Sequence, residues 1–255
     1  PAGNLFADGW GYSATEHQRA DDLNQLIRDP EVKLILFGGG EGADEVLPYL
    51  DYDAARANPK LWLSFSDSTS ILNTVWARTG LVTYYGQMPR GFLDMDDYNR
   101  AQFITHMVEG GVRTHVPAEP WHTLHGGTCQ GVLTGGYLDN YVFLACNGYV
   151  KPTPGVSYLL FIEDNEAFFQ IPHCSDLLAR LEQSPMMRQC VGLIFGHYSV
   201  PINNQLLERL TRLGEKHSIP VCYCDDFGHG VHHAILPIGV IARLDADRQT
   251  LTYLE

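Results

Sequence analysis

The stretch LWLSFSDSTS, residues 61–70, decides how this chain is interpreted. Its apolar residues alternate as in a β-strand, and a helical pattern begins directly after its small polar residues. A strand that turns sharply into a helix lifts the corner side chain above the sheet edge, and the free N–H groups of the helix then point at whatever that side chain attacks. Ser66 occupies the corner, so the stretch predicts a nucleophile. The alternative is a strand that ends in an ordinary helix N-cap.

Other apolar runs place this corner in an α/β layer. Residues 32–37 and 81–85 have the composition of short strands, and helical patterns separate the predicted strands. Strands that alternate with helices indicate a parallel sheet, whose active crevice lies beyond the carboxyl ends of its strands. The glycine loop GGGEG, residues 38–42, and Ser66 both follow such ends. A capping-box pattern at residues 13–16 predicts the start of the first helix.

The composition changes near the middle of the chain. Residues 1–118 hold the α/β pattern with the candidate nucleophile, whereas proline and glycine are frequent around residues 119–128, which predicts a linker. Residues 129–255 contain more strands alternating with helices and a terminal hairpin. We therefore predict an α/β protein with a parallel-sheet N-terminal domain and a smaller α/β C-terminal domain.

The charge balance argues against two classes of main partner and leaves room for a local basic pocket. The 255 residues include 17 Lys and Arg against 30 Asp and Glu, a net charge of −13, which argues against nucleic acid or an anionic membrane as the main partner.

No apolar run is long enough to span a bilayer, and no secretion signal opens the sequence, so we expect a cytoplasmic location. The six cysteines are scattered, mostly in apolar surroundings, and are interpreted as buried thiols.

A serine nucleophile needs a base and a group that orients the base. His229 is the candidate base because it lies in a glycine-flanked loop directly after a predicted strand. Glu163 is the candidate orienting group because it ends an apolar strand, where a carboxylate needs a partner, and Asp164 competes with it. A capping histidine and an ion-paired strand end are the alternatives. The pattern HGVHH, residues 229–233, also allows a zinc site, but it lacks a helical context and a carboxylate or cysteine partner.

The glycine loop, residues 38–42, has three interpretations. Glycine lets backbone N–H groups approach a developing oxyanion, and the Asp67 N–H would be the natural second donor because it follows the nucleophile. A phosphate-binding loop is the second interpretation, but the Lys-Ser/Thr pair of such loops is absent and the dinucleotide-binding spacing is poor. A tight turn between strand and helix is the third.

Several short blocks together resemble the LD-carboxypeptidase family of serine peptidases, which includes murein tetrapeptide carboxypeptidases and microcin C self-immunity peptidases. They run in family order over nearly the whole chain, and although each is weak alone, together they are highly specific. The blocks are RADDLN (19–24), FGGGEG (37–42) leading to LPYLD (47–51), ANPK (57–60), SFSDST (64–69), GLVT (80–83), GGYL (135–138), FIED (161–164), GLIFG (192–196), FGHG (227–230) and LPIGV (236–240).

The resemblance implies a flavodoxin-like N-terminal domain that carries the serine, and a C-terminal domain that carries a glutamate and a histidine. The active site would then lie at the domain interface. It also favours Glu163 over Asp164. Carried over position by position, the catalytic triad is Ser66, His229 and Glu163, and the oxyanion donors are the backbone N–H groups of Asp67 and of Gly39 or Gly40.

The resemblance further implies the reaction and the partners. The expected enzyme is a serine carboxypeptidase that forms an acyl-enzyme and releases the terminal D-alanine from murein tetrapeptides at an L,D-amide bond. It would need no metal and no organic cofactor, its partner would be a small peptide, and it would form a homodimer. The second interpretation is a microcin-immunity-like peptidase that cleaves the amide of a peptidyl or aminoacyl nucleotide. The third is an inactive ligand-binding member of the fold.

The chain departs from the family pattern at identifiable positions. Ser64 replaces the usual glycine two residues before the nucleophile, and Gly38 stands where an arginine commonly precedes the glycine loop. Tyr85 stands where a histidine is frequent. Family members also begin with a strand–helix segment before the position of Asn4. We therefore expect either truncation or processing, or a first strand supplied otherwise.

Overall fold

The computed structural model describes residues 2–4, 7 and 14–254, and this part of the chain forms two β-sheets flanked by helices. The strands are β1 (Leu34–Leu36), β2 (Leu61–Ser64), β3 (Thr83–Tyr85), β4 (His122–His125), β5 (Thr128–Tyr137), β6 (Tyr158–Glu163), β7 (Cys190–His197), β8 (Val221–Gly228), β9 (Leu236–Ile238), β10 (Ile241–Asp245) and β11 (Thr250–Tyr253). The helices are α1 (Glu16–Arg28), α2 (Ala43–Val46), α3 (Tyr52–Ala57), α4 (Thr69–Thr79), α5 (Asp97–Phe103), α6 (Leu138–Asn147), α7 (Ile171–Gln183) and α8 (Asn204–His217).

Helix α1 begins at a capping box, but not at the predicted one. The Thr15 side chain accepts the Gln18 N–H, and the Gln18 side chain accepts the Thr15 N–H. Ser13, which opened the predicted box, lies outside the described residues. The cap lies two residues later because Gln18 serves in the role that the sequence pattern assigned to Glu16.

The first sheet has the order β1-β2-β3-β9. Strands β1, β2 and β3 are parallel, as the alternation of strands and helices predicts. Strand β9 comes from the second half of the chain and pairs antiparallel with β3, with Tyr84 opposite Pro237. The predicted C-terminal domain, residues 129–255, therefore contributes a strand to the sheet that carries Ser66.

The second sheet has the order β11-β10-β5-β6-β7-β8-β4. Its central strands β5 to β8 are parallel, and β6 is buried along its whole length, as expected for a strand covered on both faces. The predicted terminal hairpin is present as β10 and β11. With seven strands against four, this is the larger of the two sheets.

The segment predicted as a linker, residues 119–128, is partly a strand. Strand β4 pairs with β8 at the edge of the second sheet. The adjoining chain is held by the buried carboxylate of Asp226 on β8, which lies 2.7 Å from the His115 ring and accepts the Trp121 indole N–H at 2.7 Å and the Ala118 N–H at 2.9 Å. A buried carboxylate requires such donors, and this long-range requirement is invisible in the local proline and glycine content.

Helix α4, which follows the Ser66 corner, is hydrogen-bonded to β5 of the second sheet. The Asn73 amide donates to the Gly135 carbonyl at 2.8 Å and accepts the Thr134 hydroxyl at 2.8 Å. The Tyr137 N–H donates to the Thr69 hydroxyl at 2.9 Å. These buried bonds fix the nucleophile helix against the sheet that carries Glu163.

Gly135 allows a very close approach of β5 to β6, and its replacement tests this packing. A Cβ atom at Gly135 would lie 1.7 Å from the Phe161 carbonyl oxygen, and the backbone φ is +149°. We expect Gly135→Ala to lower the free energy of unfolding by about 3 kcal/mol or more, measured by urea denaturation.

The matched control for this substitution is Gly91→Ala. A Cβ atom there would meet nothing within 4 Å, so we expect a change within about 0.5 kcal/mol. Equal denaturation midpoints for the two variants would contradict the packing that we describe.

Candidate active site

Ser66 lies at the corner predicted from the sequence. Strand β2 ends at Ser64, a short 3₁₀ turn spans Ser66–Ser68, and α4 follows. The Ser66 backbone is left-handed, with φ of +63°, a conformation that costs a non-glycine residue free energy and that is held only where its surroundings determine it. The structure therefore contains the strained strand–helix turn of a nucleophile elbow.

The three predicted triad side chains meet in one hydrogen-bonded chain. Ser66 Oγ lies 2.8 Å from His229 Nε2, and His229 Nδ1 lies 2.9 Å from Glu163 Oε2. Glu163 is the last residue of β6 and is fully buried, whereas His229 directly follows β8. Both distances are within hydrogen-bond reach for a nucleophile, a base and an orienting carboxylate.

The loop that carries His229 is anchored in both sheets. It leaves β8 of the second sheet and enters β9 of the first sheet. Helix α5 also holds the loop: the Asn99 carboxamide accepts the His233 N–H at 2.6 Å and donates to the Val231 carbonyl at 3.1 Å. The chain thus crosses between the two sheets at the candidate base.

The environment of His229 favours its protonated form. Burial alone lowers the pKa of the imidazole, but the charge and hydrogen bond of Glu163, together with the charge of Asp164, outweigh it and raise the pKa above 6.5. The imidazole is therefore suited to accept a proton from Ser66 while Glu163 holds the resulting positive charge.

The glycine loop lies against the nucleophile. A Cβ atom at Gly39 would lie 3.0 Å from Ser66 Cβ, and Gly40 has a φ of +136°. The Ser68 hydroxyl donates to the Gly38 carbonyl at 2.7 Å, which ties the loop to the turn after Ser66. A side chain at Gly39 would crowd Ser66, so glycine at this position allows the close approach that an oxyanion hole requires.

The Asp67 side chain has a role in the site that the sequence pattern did not predict, since the pattern pointed only to the backbone N–H of this residue. The carboxylate accepts the Ala43 N–H at 2.9 Å at the end of the glycine loop, and it accepts the Asn140 amide at 2.9 Å from α6. It therefore fixes the loop relative to Ser66 and to the second sheet. Asn140 carried no signal in the sequence, because its partner lies 73 residues away.

Asp164, the competitor of Glu163, does not bond to His229. Its carboxylate accepts the N–H of Asn165 at 2.8 Å and lies near Cys174 and Tyr137. Burial, the main cause, raises the pKa of Asp164 to about 7. Consecutive residues at a strand end face opposite ways, and only Glu163 faces the histidine.

The other histidines of the HGVHH pattern do not join His229 in a ligand set. His233 packs edge-on against Phe65, with ring centroids 5.3 Å apart. Among the described residues, no group of three or more His, Cys, Asp and Glu side chains is placed to hold a metal ion. In the same part of the chain, no helix is long and apolar enough to cross a membrane.

Comparison with known proteins agrees with this architecture. Residues 3–86 match the LD-carboxypeptidase N-terminal domain, and residues 130–244 match the LD-carboxypeptidase C-terminal domain. The chain belongs to the LD-carboxypeptidase family. It is 27% identical to the Bacillus subtilis protein named "probable murein peptide carboxypeptidase", over 97% of this chain and 80% of that protein. It is 26% identical to the microcin C7 self-immunity protein MccF of Escherichia coli, over 95% of this chain and 80% of that protein.

Solved structures of this peptidase family share the fold. An MccF-like protein from Bacillus anthracis superposes with a TM-score of 0.86 at 24% identity, covering 96% of this chain and 83% of that one. MccF in complex with glutamyl sulfamoyl guanosine gives a TM-score of 0.84 at 23% identity, covering 100% of this chain and 85% of that one. The predicted α/β class with two units and parallel strands is thereby confirmed.

Asp67→Asn tests the side-chain bridge to the glycine loop. The new amide hydrogens would face the N–H of Ala43 or the amide of Asn140, so one of the two bonds would be lost. We expect the rate at which a serine-reactive phosphonate modifies Ser66 to fall about 10–100-fold. The matched control is Asp53→Asn on the exposed face of α3, and equal labelling rates for both variants would refute this role of Asp67.

Asp164→Asn tests the effect of the buried acid on stability. Its pKa rises from 3.8 to about 7 on folding, so the stability that it contributes when protonated is lost as the pH rises from about 4 to about 7. The variant should therefore gain stability relative to the wild type between about pH 4.5 and pH 8, by on the order of 1 kcal/mol or more. Urea denaturation at both pH values measures this gain, and a difference that does not depend on pH would exclude it.

Proposed function

We propose that this chain is a serine carboxypeptidase that releases the terminal D-alanine of murein tetrapeptides at an L,D-amide bond. The observation that carries the proposal is the continuous contact from Ser66 Oγ through His229 to buried Glu163. This arrangement of nucleophile, base and orienting carboxylate is the one that acyl transfer requires.

The geometry supports a two-step mechanism. His229 Nε2 takes the proton from Ser66 Oγ as the oxygen attacks the amide carbon, and a tetrahedral intermediate forms. His229 then gives the proton to the leaving amine, and water hydrolyses the acyl-enzyme by the same route in reverse. Glu163 holds the imidazole through Nδ1 and stabilises the imidazolium in both steps.

The oxyanion of the intermediate is stabilised by backbone donors on two sides. The Asp67 N–H begins the turn after the nucleophile, and the glycine loop brings the N–H of Gly39 or Gly40 toward Ser66. Donors that are fixed before the reaction need no reorganisation when the charge develops, and each is typically worth about 3–4 kcal/mol.

The assignment of the substrate rests on the family and on the available space. The chain matches a peptidase family whose members include proteins named for murein peptides. A cavity of about 440 Å³ borders the glycine loop and Asp67, and another of about 370 Å³ borders His233 and Arg90. The first cavity gives a short peptide space beside the glycine loop, and the second lies next to Val231 and His233 of the loop that carries His229. The homodimer, the cytoplasmic location and the domain boundaries stay predictions.

The second candidate function is cleavage of an amide in an aminoacyl nucleotide. Phe168 is 61% exposed, and its ring centroid lies 5.3 Å from that of His229. Nearby, the Phe169 and Tyr137 rings are stacked. The exposed Phe168 ring next to the base provides a surface on which a nucleobase can stack. The similarity to MccF, which has been solved with an aminoacyl sulfamoyl nucleoside, favours this candidate.

One experiment tests the mechanism and separates the two substrates. The protein is labelled with a serine-reactive phosphonate and assayed with a murein tetrapeptide and with an aminoacyl sulfamoyl adenosine. We expect labelling of Ser66, release of D-alanine from the tetrapeptide, and a loss of at least about 10³-fold in Ser66→Ala and His229→Ala.

The control is Ser175→Ala on α7, away from the triad, which should keep wild-type turnover. Cleavage of the aminoacyl sulfamoyl adenosine without release of D-alanine from the tetrapeptide would favour the second candidate function. A wild-type protein that is neither labelled nor active on either substrate would refute the catalytic proposal.

A further inference from the structure

Glu163 has a second hydrogen-bond donor besides His229. The Tyr85 hydroxyl donates to Glu163 Oε1 at 2.5 Å, while Oε2 faces His229 Nδ1 at 2.9 Å. Both Tyr85 and Glu163 are fully buried. Each carboxylate oxygen therefore has its own donor, one from the second sheet and one from the first.

The same hydroxyl oxygen also contacts the nucleophile. It accepts the backbone N–H of Ser66 at 3.0 Å. This contact is possible because β3 pairs with β2 so that Tyr85 lies opposite Ser64, two residues before the nucleophile. A single phenol oxygen thus joins the backbone of the nucleophile to the carboxylate that orients the base.

We propose that Tyr85 is a positioning residue that sets the geometry of the triad through its hydroxyl group. The inference rests on the proposed serine mechanism and deepens it. The bond to Oε1 takes up part of the charge of the Glu163 carboxylate, whose other oxygen, Oε2, faces His229. The bond from the Ser66 N–H stabilises the left-handed backbone of the corner.

The Tyr85 bond also decides which backbone groups stabilise the oxyanion. Since the Ser66 N–H points at the phenol oxygen, it is not available to the substrate carbonyl. The oxyanion donors are then the Asp67 N–H and the glycine loop. The bond thus leaves the Asp67 N–H as the candidate donor on the side of the nucleophile.

The hydroxyl keeps its proton under all relevant conditions. Burial, followed by the charge and hydrogen bond of Glu163, raises the pKa of Tyr85 well above its ordinary value. The phenol is therefore a permanent donor to the carboxylate. The ring itself packs against Phe65 and Phe161, so removal of the oxygen alone separates positioning from packing.

The experiment replaces Tyr85 by Phe and measures His229. Two donors share the charge of one carboxylate, so removal of the phenol O–H strengthens the interaction of Glu163 with the imidazolium. The ionisable groups that interact with His229 are Glu163, Asp164 and His233, and all three stay in the variant. We expect the pKa of His229, from an NMR titration of the free protein, to rise by about half a unit.

Turnover provides the second readout. The Ser66 N–H loses its acceptor in Tyr85→Phe, and the resulting misplacement of Ser66 should lower kcat about 10–100-fold. KM should change less than about twofold, because the hydroxyl does not touch the substrate. The acidic limb of the pH–rate profile should move to higher pH together with the pKa of His229.

The matched control is Tyr84→Phe. Tyr84 is the preceding residue of β3, lies on the other face of the strand, and makes no side-chain hydrogen bond to a described residue. It should leave the pKa of His229 and kcat unchanged. A His229 pKa in Tyr85→Phe equal to that in Tyr84→Phe would overturn the proposal.

A second variant keeps the test decisive if Tyr85→Phe does not fold. Replacement of Tyr85 by 3-fluorotyrosine keeps the ring and makes the hydroxyl a stronger donor, so the pKa of His229 should fall rather than rise. An unchanged value refutes the role of Tyr85. The NMR readout needs no substrate, so failure of the serine mechanism, shown by an unlabelled wild-type protein, is distinguished from failure of this inference.

Discussion

The burial of the Glu163 carboxylate is the constraint on which the candidate site depends. A fully buried carboxylate is costly unless hydrogen-bond donors surround it, and both oxygens of Glu163 have one. One donor comes from the loop after β8 and the other from β3. The end of β6 is therefore satisfied only when the two sheets meet there, and this meeting places His229 next to Ser66.

Ser66, the candidate nucleophile, is held by the same meeting of the sheets. Its helix, α4, is bonded through Asn73 to β5, and its neighbour Asp67 is bonded to Asn140 on α6. The left-handed Ser66 backbone is unfavourable by itself, so several buried bonds from both sheets must determine it. The strained backbone at Ser66 thus persists because the hydrogen bonds between the two sheets hold it.

The path of the chain connects the two sheets more closely than a single linker between two domains would. Strand β9 returns from the second half to the first sheet, and the His229 loop spans the gap between β8 and β9. The segment before β4 is held to β8 by buried Asp226. His229 is therefore attached to both sheets, which restrains motions that would separate it from Ser66.

The sequence by itself determined the parts that depend on local pattern. Alternating apolar residues marked the strands, a small-residue corner marked Ser66, and glycine-rich turns marked the glycine loop and His229, because each reflects the backbone of one short segment. Tertiary structure alone decided the return of β9, the strand in the predicted linker, and the roles of Tyr85, Asn140 and the Asp67 side chain. Each of these depends on contacts between groups that are tens of residues apart in the sequence, and a local sequence pattern does not show which distant group will be the partner.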